Sequence, residues 1–401
     1  MMTMETLESF DVVVVGGGPA GATAATDLAS NGVRVLLLER AFRIKPCGGA
    51  IPPRLIEEFA IPQHLLVARI RSARMVSPAN QRVDMPIADT YVGMVDRETF
   101  DPWLRQRAAE AGTVVRTGRY QALQRLEDGR VKLTYLDKAA GGGQVSVVAR
   151  AVIGADGARS AVARDWVPAA AALKCVFAYH EIVRSPEAGQ GADFDPGRCD
   201  VWYQGRLSPD FYAWVFPHGG QTSIGVGSAR PGFSAPDAVR ELRQDVRLDG
   251  AATLRREGAP IPLRPLRRWD DGRNVVLAGD AAGVVAPASG EGIYYAMLGG
   301  RLAADAVAAF LASGDARALK TARKRFMRLH GRVFWVLGLL QRFWYVDDRR
   351  REKFVAMCRD PDVQYLTWQA YTRKELVRAR PAAHVRIFFK DLAQLLGLAR
   401  A

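Results

Sequence analysis

The chain contains 401 residues, of which 49% are hydrophobic and 24% charged, and its formal net charge at pH 7 is +14. This apolar content excludes an intrinsically disordered protein, and the length is sufficient for two or three subdomains with a substantial core. The four cysteines have neither CxxC nor metal-ligand spacing, which argues against a disulfide framework and predicts no metal site. No apolar leader precedes the first predicted strand, so we expect no signal peptide.

The first predicted elements are those of a dinucleotide-binding unit. A buried parallel strand over 11–15 runs into a glycine-rich turn, and a helix over 22–30 follows. In that turn Gly16 permits the tight bend, Gly18 lets a pyrophosphate approach the backbone, and Gly21 lets the helix pack on the strand. The same turn adds Pro19 and Ala20 to the predicted cofactor contacts.

A second predicted strand, 33–38, ends at an acidic residue. Glu39 stands where a carboxylate can hold the ribose hydroxyls of an adenosine, and Arg40 follows it. The strand, the helix and this acid together distinguish the glycine motif from a chance turn. Because a carboxylate would repel the 2′-phosphate of NADP, Glu39 favours the adenosine of FAD.

Two further segments can approach a cofactor. Asp96 is suited to cap a predicted helix over 100–111, and Arg97 beside it can reach a flavin or a phosphate. Residues 152–164 predict a short strand followed by a turn of small residues at Asp156. That turn is either an ordinary strand-to-helix connection or, in series with the other motifs, an Asp-Gly fingerprint of flavoproteins of the glutathione reductase type.

The middle of the chain predicts an antiparallel sheet that covers the flavin. Its strands are expected over 174–183, 199–205, 211–216 and 221–227. Along the third of these, Tyr212, Trp214 and Phe216 alternate and therefore face one side, before Pro217. Three large aromatic residues on one face usually belong to a core, but beside a flavin they can wall an apolar tunnel.

A late segment, VVLAGDAAGVVAPASGEGI, indicates a flavin. Its strand ends at Gly279 and Asp280, where a carboxylate can bind ribityl hydroxyls. Gly290 and Gly292 then open a helix at Ile293. Since the free N–H groups of a helix N-terminus carry partial positive charge, they can face phosphate or the pyrimidine edge of a flavin. A plain NAD dehydrogenase does not need this second half-site.

The charge of the chain is concentrated at its C-terminal end. Residues 316–401 contain 20 Lys+Arg and 7 Asp+Glu, whereas the first 315 contain 36 and 35. Aromatic residues lie among these cations: Phe334, Trp335, Phe343, Trp344, Phe388 and Phe389. The apolar runs 333–345 and 385–398 are shorter than the ~20 residues that span a bilayer, so we expect contact with a membrane surface. The alternative is a helical bundle with a solvated basic face; no motif supports a nucleic-acid partner.

These elements predict an α/β (α+β) fold in three parts. A discontinuous Rossmann FAD-binding domain of the glutathione reductase type is expected over 1–70, 95–165 and 262–312. The antiparallel substrate-binding sheet is expected over 71–94 and 166–261, and a basic helical region over 313–401.

Two motifs are narrower than the flavin motifs. The line Pro209-x-x-Tyr212-x-Trp214-x-Phe216-Pro217 resembles the PxxYxWxFP signature of the geranylgeranyl reductase family. Cys47, Gly48 and Gly49 resemble the Cys-Gly-Gly loop that lies near the flavin in that family. The segments 47–60, 94–112 and 353–376 are similar to its photosynthetic branch, and the resemblance covers essentially the whole chain.

The resemblance implies non-covalent FAD, NADPH as reductant, and stepwise reduction of three isolated double bonds of a geranylgeranyl chain to phytyl. The substrate would be a geranylgeranyl ester of chlorophyllide or bacteriochlorophyllide, or free geranylgeranyl diphosphate. It also implies a peripheral protein on the cytoplasmic side of a photosynthetic membrane. No second Rossmann motif is present for NADPH, which would therefore dock transiently.

An isolated alkene resists hydride, so a proton donor must act in a water-poor site. Cys47, a thiol beside Lys45, is the first candidate, although a buried small hydrophobe is the alternative; Tyr212 is the second. The histidines show no pairing that makes one of them a base: His64, His180, His218, His330 and His384.

Other functions remain open at this point. An aromatic hydroxylase has the same flavin motifs but uses oxygen, and a flavin halogenase has a Trp-x-Trp-x-Ile-Pro line in place of the aromatic signature. A reductase of archaeal-type geranylgeranyl lipids would use the same chemistry. A pigment or isoprenoid carrier that holds FAD structurally would use none of it.

Overall fold

The computed structural model describes residues 7–41, 44–138, 141–167, 173–187 and 193–374. The strands in these ranges are β1 (Glu8–Val15), β2 (Val35–Glu39), β3 (Ala50–Ile51), β4 (Leu66–Ile70), β5 (Ser72–Val76), β6 (Arg82–Pro86), β7 (Val92–Val95), β8 (Val114–Arg125), β9 (Val131–Asp137), β10 (Gly143–Gly154), β11 (Cys175–Arg184), β12 (Arg198–Trp202), β13 (Ala213–His218), β14 (Gln221–Ser228), β15 (Thr253–Pro262) and β16 (Val275–Leu277). The α-helices are α1 (Pro19–Ser30), α2 (Pro53–Glu58), α3 (Arg97–Glu110), α4 (Ala161–Trp166), α5 (Ala235–Asp245), α6 (Ile293–Ser313), α7 (Lys320–Trp344), α8 (Asp348–Met357) and α9 (Pro361–Arg373).

The chain forms two compact units, each assembled from three segments. The first unit contains residues 1–45, 98–175 and 260–334. The second contains residues 46–97, 176–259 and 335–401.

The first unit is built on a mostly parallel sheet. β1 pairs in parallel with β2 and β10, β2 pairs with β8, and β10 pairs with β16. β9 runs antiparallel to both β8 and β10. The valines of β1 are almost completely buried, as expected for a β-branched strand covered on both faces.

Helices α1 and α6 pack closely in the first unit. A Cβ atom at Gly300 would lie 2.1 Å from the carbonyl oxygen of Ala20, so this crossing requires a glycine. Among the described helices, α6 is the one whose length and mean hydropathy (1.3) would suit a membrane span, although 56% of its most apolar window is buried. The sequence analysis predicted that this helix begins at Ile293, and the helix forms part of the core of the unit.

The second unit contains a seven-stranded sheet in the order β15-β11-β14-β13-β12-β5-β6 and a three-stranded sheet in the order β3-β7-β4. Helix α5 covers β14 and buries Val239 and Leu242 in the core beneath the larger sheet. The strand pairs β11–β14, β14–β13, β13–β12 and β5–β6 of the larger sheet are antiparallel, whereas β12 pairs in parallel with β5. The predicted antiparallel sheet is therefore a mixed sheet.

The α/β (α+β) fold is confirmed, but the units divide the chain differently from the predicted domains. Residues 46–70 lie in the second unit because β3 and β4 both pair with β7. Within the described part of the predicted helical region 313–401, the boundary between the two units falls inside α7, at residues 334 and 335. The predicted apolar run 385–398 lies outside the described residues.

Candidate active site

The glycine-rich turn between β1 and α1 is held tightly at both ends. Gly16 has a φ of +105°, and its Cβ atom would lie 2.3 Å from the carbonyl oxygen of Ala155. A Cβ atom at Gly21 would lie 1.8 Å from the carbonyl oxygen of Gly16. Both positions therefore require glycine, which is the predicted reason for their presence.

Gly18 differs from its neighbours because it is next to open space. No heavy atom lies within 4 Å of its Cβ position, and it is the N-cap of α1 without a side-chain cap. Pro19 occupies the first turn, where its missing N–H costs nothing. The start of this 12-residue helix has no side-chain cap and has open space beside Gly18, which suits a pyrophosphate.

Glu39 lies beside this turn at the end of β2. Its Oε2 accepts a hydrogen bond from the backbone N–H of Gly17 at 2.6 Å, and its Oε1 accepts one from Ala41 at 3.2 Å. The Arg105 guanidinium, which is buried, donates to the carbonyl oxygen of Gly17 at 3.2 Å. The sequence analysis missed Arg105, because no local pattern connects helix α3 to the turn. Arg40, the other residue predicted here, is exposed.

The late segment joins the first unit as a second half-site. Gly279 has a φ of +62° and its Cβ position is 2.7 Å from the Cβ of Ala20, so the segment lies against the start of α1. Asp280 is 11% exposed and forms an ion pair with Lys45 at 2.6 Å.

Gly292, the N-cap of α6, is close to this carboxylate. Its Cβ position lies 3.8 Å from Oδ1 of Asp280, so the carboxylate and the helix N-terminus occupy one place. Gly290 adopts a φ of +66°, and Ile293 is the first residue of the helix. The structure thus brings together the residues that the sequence predicted for this half-site.

Asp156 has a structural role in addition to any contact with a cofactor. Its carboxylate accepts hydrogen bonds from Ser160 and from the backbone N–H groups of Ala161 at 2.7 Å and Val162 at 3.3 Å. Burial raises the pKa of Asp156, although these bonds oppose that effect. The carboxylate therefore fixes the first turn of α4, in agreement with the ordinary-connection alternative. Contact of Asp156 with the flavin stays a prediction.

In the second unit, the Cys-Gly-Gly loop is anchored to two strands. The backbone N–H of Gly49 approaches Sγ of Cys47 at 3.4 Å, and its carbonyl accepts a bond from Val95 at 2.9 Å. A Cβ atom at Gly48 would lie 3.3 Å from the ring of Phe216, and one at Gly49 would lie 2.5 Å from Nε2 of His218. The thiol of Cys47 is half-buried.

The aromatic line follows β13 as predicted. The ring of Trp214 lies 6.0 Å from that of Tyr212 and 6.2 Å from that of Phe216. Tyr212 and Trp214 are buried, whereas Phe216 is half-buried and contacts the loop of Cys47. Pro217, at the end of the aromatic line, is also buried. The second unit therefore places two separately predicted motifs in contact.

The structure also places two other features of the sequence analysis, Arg97 and the histidines. Arg97 is the first residue of α3 and is buried, and its contact with a flavin stays a prediction. The sequence showed no pairing that makes a histidine a base, and it also gave no sign that His180 contacts Glu257 at 3.1 Å and Ser223 at 2.8 Å. The partners come from neighbouring strands far apart in the sequence, so spacing along the chain could not reveal them.

Three features of the first unit fit an FAD molecule. They are glycines that leave no room for a side chain, two helix N-termini without a side-chain cap, and two carboxylates beside them. An FAD binding domain family matches residues 9–171. The protein is therefore a flavoprotein of the FAD-binding oxidoreductase class.

Comparison with proteins of similar sequence identifies the family. The chain is 54% identical to a geranylgeranyl diphosphate reductase from Rhodobacter capsulatus, over 97% of this chain and 98% of that protein. It is 32% identical to a digeranylgeranylglycerophospholipid reductase from Methanosarcina acetivorans, over 76% and 77% of the two chains. The protein belongs to the geranylgeranyl reductase family.

A solved structure supports the fold. A geranylgeranyl bacteriochlorophyll reductase-like protein from Thermoplasma acidophilum has a TM-score of 0.80 and 22% identity, covering 94% of this chain and 99% of that chain. At this identity the likeness concerns the fold alone.

Proposed function

We propose that the protein reduces the three isolated double bonds of a geranylgeranyl chain to give phytyl, with NADPH as the electron source. The acceptor is the geranylgeranyl ester of chlorophyllide or bacteriochlorophyllide, or free geranylgeranyl diphosphate. The observation that carries this proposal is the contact between the aromatic line and the Cys-Gly-Gly loop, at Phe216 and Gly48. The 54% identity to a geranylgeranyl diphosphate reductase supports it.

The residues at this contact suit an apolar substrate that must be protonated. The rings of Tyr212, Trp214 and Phe216 form a continuous series on β13 and its approach, against which an isoprenoid chain can pack. FAD that NADPH has reduced would supply a hydride to one carbon of the alkene. The Cys47 thiol would give its proton to the other carbon, and the resulting thiolate would recover a proton from water after product release.

The backbone around Cys47 favours this role. The N–H of Gly49 is directed at Sγ from 3.4 Å, which holds the sulfur in one place within the loop. Tyr212 is the second candidate for the donor. Its ring stacks on Phe211 with a centroid distance of 4.2 Å, which keeps it in the aromatic series.

A second candidate function is reduction of archaeal-type geranylgeranyl lipids, which the relative from Methanosarcina acetivorans favours. The lower identity and coverage of that relative place this candidate behind the first. The two candidates share the alkene chemistry and differ only in the group attached to the isoprenoid chain.

We also propose that the protein binds the surface of a membrane through α7, on the cytoplasmic side of a photosynthetic membrane. Three large apolar side chains on this helix are well exposed: Leu329 (55%), Trp335 (69%) and Leu339 (53%). Lys324, Arg328, Arg332 and Arg342 are exposed on the same helix. Apolar residues beside cations suit an interface with anionic lipid.

Two aromatic residues expected to take part in this contact belong to the core instead. Phe334 is buried against Tyr295, with ring centroids 4.9 Å apart. Trp344 is buried against Phe354 at 6.0 Å. Both residues lie on sides of α7 that other parts of the protein cover, whereas Trp335 lies on an exposed side. The membrane proposal therefore rests on the exposed side chains, and Phe388 and Phe389 lie outside the described residues.

An anaerobic half-reaction experiment tests the proposed function. Purified protein with FAD is reduced by NADPH, and the reoxidation of the flavin is followed after adding geranylgeranyl diphosphate, geranylgeranyl chlorophyllide or a digeranylgeranyl lipid. We expect reoxidation and phytyl products with one of the first two acceptors. In a separate aerobic assay, oxygen-dependent turnover of an aromatic substrate by protein that reduces none of these acceptors would instead indicate a hydroxylase, and no turnover in either assay would indicate a carrier.

A further inference from the structure

Four adjacent strands of the larger sheet each contribute one polar side chain to a continuous hydrogen-bonded series. Glu257 on β15 contacts Nε2 of His180 on β11 at 3.1 Å. Nδ1 of His180 contacts Oγ of Ser223 on β14 at 2.8 Å. Nε1 of Trp214 on β13 donates to the same Oγ at 3.0 Å. The order of these side chains is the order of the strands, so the series runs across the sheet.

One hydrogen bond in the series has a fixed direction: an indole N–H can only donate, so Oγ of Ser223 accepts from Trp214. The other two depend on the tautomer of His180. In the tautomer that donates from Nε2 to Glu257, Nδ1 accepts the hydrogen of the Ser223 hydroxyl. Burial opposes ionisation of Glu257, but the hydrogen bond from His180 and the charge of Arg255 lower its pKa. A carboxylate that only accepts therefore ends the series.

The arrangement of Glu257, His180 and Ser223 is that of a nucleophilic triad, but its burial excludes that role. The side chain of Ser223 has no exposed surface, and its Oγ already accepts the indole N–H. No substrate carbonyl can approach such an oxygen without unfolding the sheet. What the series can do is hold the ring at its other end.

Packing against Gly225 also holds the indole ring of Trp214. Gly225 pairs with His180 on one side and with Trp214 on the other. A Cβ atom at Gly225 would lie 2.2 Å from Cζ2 of Trp214 and 2.6 Å from Cβ of His180. The missing side chain lets the two rings approach to 6.2 Å between centroids. The indole plane is thus determined by one hydrogen bond and one glycine.

The far end of the series is fixed by charge. Nε of Arg255 lies 3.3 Å from Oε1 of Glu257, and its Nη2 lies 3.8 Å from Oδ1 of Asp96. Asp96 and Arg255 thus extend the series beyond Glu257 with charged groups of the same unit. His180 is 3% exposed, and buried hydrogen-bonded groups of this kind rigidify their surroundings.

We infer that Ser223 and His180 are positioning residues that fix the indole of Trp214 and thereby set how far the isoprenoid chain enters its site. This inference rests on the proposed function. The three double bonds lie at different distances from the end of the isoprenoid chain, and each must reach the same reacting position. A fixed indole gives the site one shape, which determines how deeply the isoprenoid chain is bound at each reduction. If the indole is released, the chain binds less tightly and leaves before all three bonds are reduced.

Ser223→Ala tests this inference, since it removes only the oxygen between Trp214 and His180. We expect normal FAD content and an unchanged rate of flavin reduction by NADPH. KM for the geranylgeranyl substrate should rise roughly 10-fold, as for a lost positioning contact, and partly reduced products should accumulate. Ser223→Thr keeps the hydroxyl and should restore the normal product distribution.

Thr222→Val is the matched control. Thr222 is as buried as Ser223, but as the next residue along β14 its side chain is on the opposite face, where its hydroxyl bonds to Ser185 at 2.8 Å. Equal KM values and product distributions for Ser223→Ala and Thr222→Val would overturn the inference. If wild-type protein reduces no geranylgeranyl substrate, the proposed function fails instead.

A spectroscopic measurement is independent of turnover. In protein labelled with ¹⁵N-tryptophan, the indole N–H resonance that is absent from Trp214→Phe belongs to Trp214. We expect this resonance to shift in Ser223→Ala and to stay in place in Thr222→Val. Should Ser223→Ala fail to fold, Glu257→Gln weakens the series from its other end and should move the resonance in the same direction; an unmoved resonance would overturn the inference.

Discussion

The predicted sites of the two units are built by different means. In the first unit the site depends largely on backbone: Gly16 and Gly21 have no room for a side chain, and Gly18 and Gly292 are the N-caps of helices that have no side-chain cap. In the second unit it is made of side chains, with rings on β13, the Cys47 thiol and a polar series behind Trp214. Backbone suits a cofactor that is the same in every turnover, whereas side chains suit a substrate with a particular shape.

This contrast separates two kinds of variant. Changes in the first unit should remove the flavin and, with it, all activity. Changes in the second unit should leave flavin binding and NADPH oxidation intact and impair only transfer to the alkene. The following predictions are ordered by the size of the expected effect.

Gly21→Ala should have the largest effect. The new methyl group would lie 1.8 Å from the carbonyl oxygen of Gly16 and would displace α1 from β1. We expect affinity for FAD to fall more than about 100-fold, equivalent to roughly 2.7 kcal/mol, together with a lower melting temperature of the apoprotein. Flavin titration and thermal unfolding measure the two effects.

Gly18→Ala is the comparison for Gly21→Ala, because its methyl group would meet no protein atom within 4 Å. It should leave the melting temperature of the apoprotein unchanged while weakening FAD binding, since the methyl group occupies the side offered to the pyrophosphate. If Gly18→Ala and Gly21→Ala both bind FAD like wild type, the cofactor does not use this turn.

Cys47→Ala tests the second unit. FAD content and flavin reduction by NADPH should match wild type, whereas transfer to the alkene should fall roughly 100-fold, the scale of a lost general acid. Stopped-flow reoxidation of the reduced flavin by geranylgeranyl diphosphate measures the step. Cys175→Ala is the matched control because Cys175 is also a half-buried free thiol, and burial raises its pKa. Full activity of Cys47→Ala would leave Tyr212 as the candidate donor.

Asp280→Ala should have an intermediate effect in the first unit. It removes the carboxylate beside Gly292 and leaves Lys45 without its partner at 2.6 Å. We expect roughly 10-fold weaker FAD binding, consistent with loss of a charge-assisted contact. Asp305→Asn, which breaks an exposed ion pair with Arg325, should bind FAD normally. Denaturation should release the flavin from wild type, and an Asp280→Ala protein with one flavin per chain would remove Asp280 from the site.

The smallest expected effect concerns the membrane. Replacing Leu329, Trp335 and Leu339 by serine should lower recovery with anionic liposomes in flotation by about 5-fold at high salt, because the apolar contribution is lost while the cations remain. Leu254→Ser, at an exposed leucine on β15, should float like wild type. Unchanged flotation of the folded triple variant would mean that α7 does not contact lipid.

Contiguous motifs explain why the sequence alone could predict the flavin half-sites. Gly16, Glu39 and Asp280 stand at or just after the end of a strand, and Gly21 lies in the first turn of the helix that follows Gly16, so the local chain direction limits what each residue can contact. The turn or helix that follows each strand is also visible in the local sequence, so the prediction required no knowledge of distant partners. The alternation of Tyr212, Trp214 and Phe216 is of the same local kind, because a strand places alternate residues on one face.

Only the tertiary structure decided the rest. The bond from Arg105 to Gly17, and the series from Glu257 through His180 and Ser223, join residues that sheet pairing brings together from distant positions. The same holds for the burial of Trp344, whose aromatic surroundings depend on how α7 meets its neighbours. Composition and periodicity describe each segment by itself, whereas strand order and helix packing determine which segments become neighbours.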